Sequence, residues 1–225
     1  MINILFLVTS MIFLVLFFLI TGLNIILVAL KKFRIRRILN PLIIPMLIIY
    51  YLFLVPFESL HWLVILALIC GLIGNYFFMS YQDEEMFLNG IIVLLIGNFF
   101  YIISFTQTFV DISGLLLWKF FLLIPGLLII LYSYSQIKGE MEIMQMAMFI
   151  YIAVMTIMYC CAVFRVPASG GLDYWFVWIG ATLFMLSSAI IAIDTFSTEI
   201  PSTGVYILST FYLAQFFIVQ GIIFS

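Results

Sequence analysis

The sequence predicts an all-α integral membrane protein with eight transmembrane helices in one bundle. Of its 225 residues, 67% are hydrophobic and only 8% are charged, whereas soluble domains carry roughly 25% charged residues. The apolar residues form long uncharged runs, and each run approaches the ~20 residues that a helix needs to cross a bilayer. The net charge of −2 is small and the basic residues are clustered, so no nucleic-acid partner is expected.

Eight apolar runs define the expected helices, and residues 1–225 are expected to form a single transmembrane domain. The first run is long enough for a tilted span. Pro41 lies at the start of the second run, where its missing N–H costs little. Pro45 and Pro125 lie deeper and are expected to kink their helices. The predicted spans are residues 2–30, 40–57, 60–79, 86–105, 115–135, 143–164, 174–193 and 203–224.

The basic residues predict the orientation in the cell membrane. Five of the eight Lys and Arg residues lie in the segment 31–37, and an excess of positive charge is typical of cytoplasmic loops. Both termini are then expected outside, with Arg165 in an outer loop. Lys119 is expected to snorkel outward from an outer helix end.

Uncharged polar residues recur inside the apolar runs, at similar predicted depths. A polar side chain in a membrane segment is costly unless it faces a partner or a wet cavity. Each of them could simply cross-link two helices by a hydrogen bond, but together they favour a shared ligand cavity. The predicted cavity residues are Asn40, Asn75, Asn98, Tyr101, Ser187, Ser188, Tyr212 and Gln215.

The charged residues are less informative. The acids at 83–85 lie in a turn and are expected to be solvated. Asp194 follows Ser187 by seven residues on the same helical face and is a candidate for a catalytic acid, although a solvated helix end also fits it. The chain has one histidine, His61, and no C-x-x-C pair, so no metal site and no cofactor are expected.

Several of these positions form an ordered set of motifs. G-N at 74–75 is followed by F-x-x-G-x-x-x-L-x-x-x-N-x-x-Y over 87–101, by G-A-T-L-F-M-L-S-S at 180–188 and by T-F-Y-L-A-Q at 210–215. This set resembles the lysoplasmalogenase-like (YhhN) family, and the N-P at 40–41 is similar to the family's K-P entrance to span two. The resemblance covers nearly the whole chain from about residue 34. It implies an eight-span fold, and active members hydrolyse the vinyl-ether bond of lysoplasmalogens.

The chain departs from that pattern at the ionisable positions. Where the family typically has Lys, Asp, His and Asp, this chain has Asn40, Asn75, Asn98 and Ser188. Vinyl-ether hydrolysis needs a proton donated to carbon and another removed from the attacking water, and amides and hydroxyls do not exchange protons near neutral pH. We therefore expect a polar-lined cavity that binds a membrane lipid, a lysophospholipid or similar amphiphile, from the cytoplasmic leaflet, with catalysis lost or altered.

Three other functions stay open. The protein could be an active vinyl-ether hydrolase that uses Asp194 or the acids at 83–85. It could be a small lipid or solute transporter, since a faint similarity between the third and fourth runs and the last two suggests a parallel repeat. It could also be a membrane scaffold without a ligand. The sequence leaves the ligand's identity and the oligomeric state undetermined.

Overall fold

In the computed structural model the described residues form eight α-helices and no strand. Those residues are 4–80, 83–107, 117–136, 143–165, 171–197 and 200–225. Seven helices are long and apolar enough to cross a membrane, which confirms the predicted class. The helices are α1 (Ile4–Ala29), α2 (Phe33–Leu54), α3 (Trp62–Phe77), α4 (Glu84–Thr106), α5 (Leu123–Gln136), α6 (Ile143–Phe164), α7 (Leu172–Phe196) and α8 (Thr203–Ile223).

Three elements differ from the expected spans. Helix α2 begins at Phe33 because the basic residues 34–37 are already helical, so Pro41 lies inside the helix and the prediction that it lies at the start is wrong. Helix α3 has only 16 residues and continues into a short 3₁₀ helix at Phe78–Ser80. Before α5, residues Leu117–Leu122 form a 3₁₀ helix, so Pro125 is the third residue of α5. The prediction that Pro125 lies deep in a helix is therefore wrong. Proline lacks an N–H and fits the first helical turn, where that donor would have no intrahelical acceptor.

Consecutive helices pack as neighbours, with α1 against α2, α3 against α4 and α7 against α8. Helix α8 also contacts α1 and α2, while α4 contacts α6 and α7 contacts α5 and α6. The outward faces carry large apolar side chains such as Leu19, Ile92 and Leu128, each more than half exposed. Apolar side chains on the outside and polar ones inside are what a bilayer requires of a multi-helix protein.

Helices α7 and α8 touch through their backbones at glycines. A Cβ atom placed on Gly180 would lie 2.8 Å from the backbone nitrogen of Ile218 and 2.9 Å from the carbonyl oxygen of Ala214. Small residues permit such close approach of membrane helices. This contact fixes the position of the α8 side chains relative to α7.

A buried charged cluster lies where α6 ends and α7 begins. Lys119 is only 5% exposed, its Nζ donates a hydrogen bond of 2.9 Å to the carbonyl oxygen of Arg165, and it lies 5.0 Å from the centre of the Tyr174 ring. The prediction that Lys119 snorkels outward is therefore wrong, because a carbonyl group and an aromatic face inside the protein bind its ammonium group. Arg165 in turn pairs with the equally buried Asp173 at 3.9 Å.

Candidate functional site

One polar network among the described residues joins three of the predicted cavity residues. The Tyr212 hydroxyl group donates a hydrogen bond to Oδ1 of Asn40 and accepts one from Nδ2 of Asn75, both at 2.7 Å. Nδ2 of Asn75 also lies 3.5 Å from Oδ1 of Asn40. Asn24 of α1 donates to the same Asn40 oxygen at 2.9 Å. We refer to Asn24, Asn40, Asn75 and Tyr212 as the amide network; it connects α1, α2, α3 and α8.

A second contact joins α4 to α8. The Tyr101 hydroxyl group donates a hydrogen bond to Oε1 of Gln215, and both side chains are almost fully buried. Gln215 lies against Gly71, where an added Cβ would be 3.3 Å from its Nε2. Gly71 therefore leaves room for the Gln215 amide beside α3.

A third group lies between α4, α6 and α7. The hydroxyl groups of Tyr151 and Ser188 are 2.9 Å apart, and Asn98 lies beside the same tyrosine. Asn98 is fully buried and its amide interacts with the Tyr151 hydroxyl group, although the geometry of that contact is poor for a hydrogen bond. The amide is therefore weakly satisfied by the protein, which is costly for a buried polar group.

Ser187 belongs to none of these three hydrogen-bonded groups. Its Oγ donates a hydrogen bond of 3.0 Å to the carbonyl oxygen of Ile207 on α8. The hydroxyl group therefore links α7 to α8 by a local contact, while the next residue, Ser188, points toward α6.

A cavity of about 50 Å³ adjoins the amide network at the end of the fold where α2 begins, α3 ends and α7 ends. It brings together a cation, a carboxylate and an amide, Arg36, Asp194 and Asn75. Oδ1 of Asp194 accepts hydrogen bonds from the Ile200 backbone N–H at 2.9 Å and from the Thr203 hydroxyl group at 2.6 Å. The remaining lining residues are Phe78, Ile191, Gly204, Ile207 and Leu208.

The acids at the start of α4 have a different environment. Asp83, Glu84 and Glu85 are exposed, and Oδ1 of Asp83 accepts hydrogen bonds from the backbone N–H groups of Glu85 and Met86. Asp83 thus caps the helix. These acids are not among the residues that line the cavity.

Sequence reasoning missed three residues of this region: Asn24, Arg36 and Tyr151. Arg36 precedes Asn40 by four positions, which places both on one face of α2, so the spacing could have identified it. Asn24 is a polar residue deep in the first apolar run and carried the same signal as the other amides. Nothing in the sequence distinguishes Tyr151 from the other tyrosines.

The arrangement is built from neutral donors and acceptors with one pair of opposite charges at the cavity. Among the described residues there is no group of three or more His, Cys, Asp or Glu side chains that could hold a metal ion. Such a set can bind and orient a polar headgroup or a water molecule.

The fold and these buried contacts define a multi-pass membrane protein with polar networks inside a shell of apolar helices. The model of the YhhN family matches residues 35–222. The chain belongs to the YhhN family, as the ordered motifs indicated. No curated protein and no solved structure matches the chain.

Proposed function

We propose that this protein binds a lysophospholipid or similar amphiphile through the cavity and the amide network, and that vinyl-ether hydrolysis is lost or altered. The observation that carries the proposal is the contact between Asn40 and Asn75 through Tyr212. The family resemblance implies Lys and Asp at these two positions. Here both are amides, and they lie in one hydrogen-bonded network.

The paired replacement has a physical reason. A buried ion pair that loses one partner leaves an uncompensated charge, which costs about 3–5 kcal/mol. Replacing both Lys and Asp by asparagine leaves no charge, and the amides can still donate and accept hydrogen bonds. The fold is thereby kept without the groups that would exchange protons.

The other two replaced positions also lie close together. Asn98, where the family pattern has His, lies beside Tyr151, and Tyr151 contacts Ser188, where the pattern has Asp. An imidazole and a carboxylate bridged by a tyrosine would form an acid–base system. An amide and a hydroxyl group in the same places favour binding over proton transfer.

The size of the cavity limits what it can receive. Pockets for drug-sized ligands are about 300–1,000 Å³, whereas this cavity is about 50 Å³. It has room for part of a headgroup, so an acyl chain would lie along the apolar helix surfaces. The cavity lies at the same end as residues 31–37, so the predicted orientation places the headgroup on the cytoplasmic side.

A second candidate function is an active hydrolase that uses Asp194. The observation in its favour is that Asp194 lines the same cavity as Asn75. If this carboxyl group is the acid, Asp194→Asn abolishes aldehyde release and leaves the folded protein intact. An unchanged rate in that variant would eliminate Asp194 as the acid.

Binding and hydrolysis are tested separately on the purified full-length protein in detergent. We expect lysophospholipid to bind, and lysoplasmalogen to release no fatty aldehyde above the rate without protein. A family member that carries the four ionisable residues serves as the positive control. Aldehyde release comparable with that control would contradict the loss of catalysis, and failure to bind any lysophospholipid would contradict the binding function.

A gain-of-function variant sharpens the test. Asn40→Lys, Asn75→Asp, Asn98→His and Ser188→Asp together restore the ionisable groups that the resemblance implies. Because a positioned acid or base contributes ~10²–10⁴-fold per proton transfer, we expect measurable aldehyde release from a folded quadruple variant. No such gain is expected when only Asn98→His is introduced.

A further inference from the structure

We propose that the turn between α1 and α2 is a docking surface for anionic membrane lipids. Its four exposed basic residues, Lys31, Lys32, Arg34 and Arg37, bind lipid phosphate groups at the surface of the bilayer. We call these four residues the basic turn. The cavity and the amide network take no part in this surface, so the inference does not depend on the proposed binding of a lysophospholipid.

In the part of the chain that the structure describes, exposed positive charge is confined to the basic turn. Its four side chains are exposed, whereas the other described Lys and Arg residues, Arg36, Lys119 and Arg165, are at most 9% exposed. None of the four forms an ion pair with another described residue. They are therefore available to an anion from outside the protein.

The local backbone brings the four cations together. Helix α1 ends with hydrogen bonds from the Lys32 N–H to the Leu27 carbonyl oxygen at 2.9 Å and from the Lys31 N–H to that of Val28 at 3.0 Å. This helix stop needs a residue with positive φ, usually glycine, and Lys31 occupies that position with a φ of 55°. Helix α2 begins at Phe33, so its two exposed arginines follow the two lysines directly.

The face of α2 next to the cations indicates a lipid rather than a soluble anion. Arg34, Ile38 and Leu42 follow one another at intervals of four residues, so they share one face of the helix, about 6 Å apart along its axis. Ile38 is 72% exposed and Leu42 is 43% exposed. A lipid whose phosphate group binds Arg34 can therefore lay an acyl chain along these two aliphatic side chains. A soluble phosphate has no group to place there.

The charge of the surface favours a lipid with net negative charge. Arginine and lysine both bind phosphate groups. A zwitterionic lipid offers a phosphate group but also carries a cation, which the basic turn repels, whereas an anionic lipid has no such cation. Clusters of Lys and Arg beside a membrane helix attract anionic lipids in this way. In the predicted orientation the lipid belongs to the cytoplasmic leaflet.

The acidic turn before α4 offers an internal comparison at the same end of the fold. Asp83, Glu84 and Glu85 are exposed there, and Asp83 caps the helix. A turn with this charge repels anionic lipids. We therefore expect the preference for anionic lipid to depend on the basic turn and not on exposed charge in general.

The experiment measures which lipid stays bound to the purified full-length protein. The protein in detergent is captured, incubated with equal amounts of phosphatidylglycerol and phosphatidylcholine of the same acyl chains, and washed; the retained lipids are then quantified by mass spectrometry. Since each basic residue near an anionic lipid surface contributes about 5-fold, we expect at least about 5-fold more phosphatidylglycerol at low salt. At about 1 M salt, where the Debye length is about 3 Å, the ratio should fall toward 1.

One combined variant assigns the preference to the basic turn. Lys31→Gln, Lys32→Gln, Arg34→Gln and Arg37→Gln together should bring the lipid ratio to about 1 at low salt. If the combined variant does not fold, the lysine pair and the arginine pair are changed separately, and each double variant should lose part of the preference. The unfolding temperature of every variant verifies that it is folded.

Two controls separate charge from side-chain identity. Arg34→Lys with Arg37→Lys keeps the charge and should keep the preference. Glu84→Gln with Glu85→Gln changes exposed charge on the acidic turn and should not lower it.

Three outcomes would overturn the inference. They are a ratio near 1 in the wild-type protein, a ratio that survives in the combined variant, and a fall of the same size in the Glu84 and Glu85 variant. Soluble glycerol phosphate, added at the concentration of the lipid, should not displace phosphatidylglycerol. Displacement would show a site for soluble anions and would refute the assignment to a lipid.

Discussion

The Tyr212 hydroxyl group donates a hydrogen bond of 2.7 Å to Oδ1 of Asn40, which lies 172 positions earlier in the chain. The same hydroxyl group accepts a hydrogen bond from Asn75, so one oxygen atom joins α2, α3 and α8. All three side chains are at most 7% exposed. Since water has little access to them, each group depends on the others to satisfy its hydrogen bonds.

Removing this hydroxyl group should destabilise the protein. Tyr212→Phe keeps the ring but leaves buried polar atoms of Asn40 and Asn75 short of a partner, which costs about 1–3 kcal/mol. Unfolding of the detergent-solubilised protein measures the change. Tyr206→Phe is the control, because Tyr206 lies on the same helix and is 54% exposed; a loss of equal size in both variants would refute the role of the network.

Charged substitutions at Asn40 and Asn75 should have strongly coupled effects on the free energy of unfolding. Asn40→Lys or Asn75→Asp alone buries a charge without an opposite partner, and each should lower the free energy of unfolding by about 3–5 kcal/mol. The double variant restores an ion pair and should lose less than the sum of the single changes. A double-mutant cycle measures this coupling, and purely additive losses would contradict the contact between the two positions.

The close approach of α7 and α8 should make Gly180 intolerant of a side chain. Gly180→Ala places a methyl group 2.8 Å from a backbone nitrogen, so the helices must separate, at a cost of about 1–3 kcal/mol. Thermal unfolding checks the loss. Gly22→Ala on α1 is the control, since its Cβ would meet no atom within 4 Å, and alanine there should be neutral or stabilising. A neutral Gly180→Ala would contradict the observed packing.

His61 should make stability depend on pH. Burial, together with the charge of Arg165, lowers the pKa of His61 below its usual value of 6.5. As pH falls below 6.5, the unfolded chain takes up a proton that the folded protein excludes, so stability is present above that pH and declines below it.

The chain has a single histidine, so one substitution isolates the effect. The unfolding temperature should fall between pH 7.5 and 5.5 by more in the wild-type protein than in His61→Gln. Equal falls in both proteins would show that His61 does not contribute.

The fold class could be predicted from the sequence because a bilayer constrains composition directly. Long uncharged runs have few alternatives to the helix, since only internal hydrogen bonding satisfies the backbone in lipid. The structure at the helix ends was harder to predict. The 3₁₀ helix before Pro125 and the inward direction of the Lys119 side chain depend on contacts with α6 and α7. A local sequence pattern gives no information about those contacts.

The polar positions were found because amides stand out within apolar runs, as Asn75 and Asn98 do. Their partners were not predictable. Ser187 and Ser188 are adjacent in sequence, yet one bonds to the backbone of α8 and the other to Tyr151 of α6. Likewise Arg36 lies in a basic segment that indicated orientation, and only the folded chain shows that it lines the cavity beside Asp194.

The sequence by itself determined that this protein is an all-helical membrane protein, which residues interrupt its apolar helices, and which family it resembles. These follow from composition and from spacing along one chain. The tertiary structure alone decided that Asn24, Asn40, Asn75 and Tyr212 meet, and that Arg36 and Asp194 share a cavity. The reason is that such contacts depend on how helices far apart in the chain approach each other, and in the membrane that approach is set by packing at small residues such as Gly180.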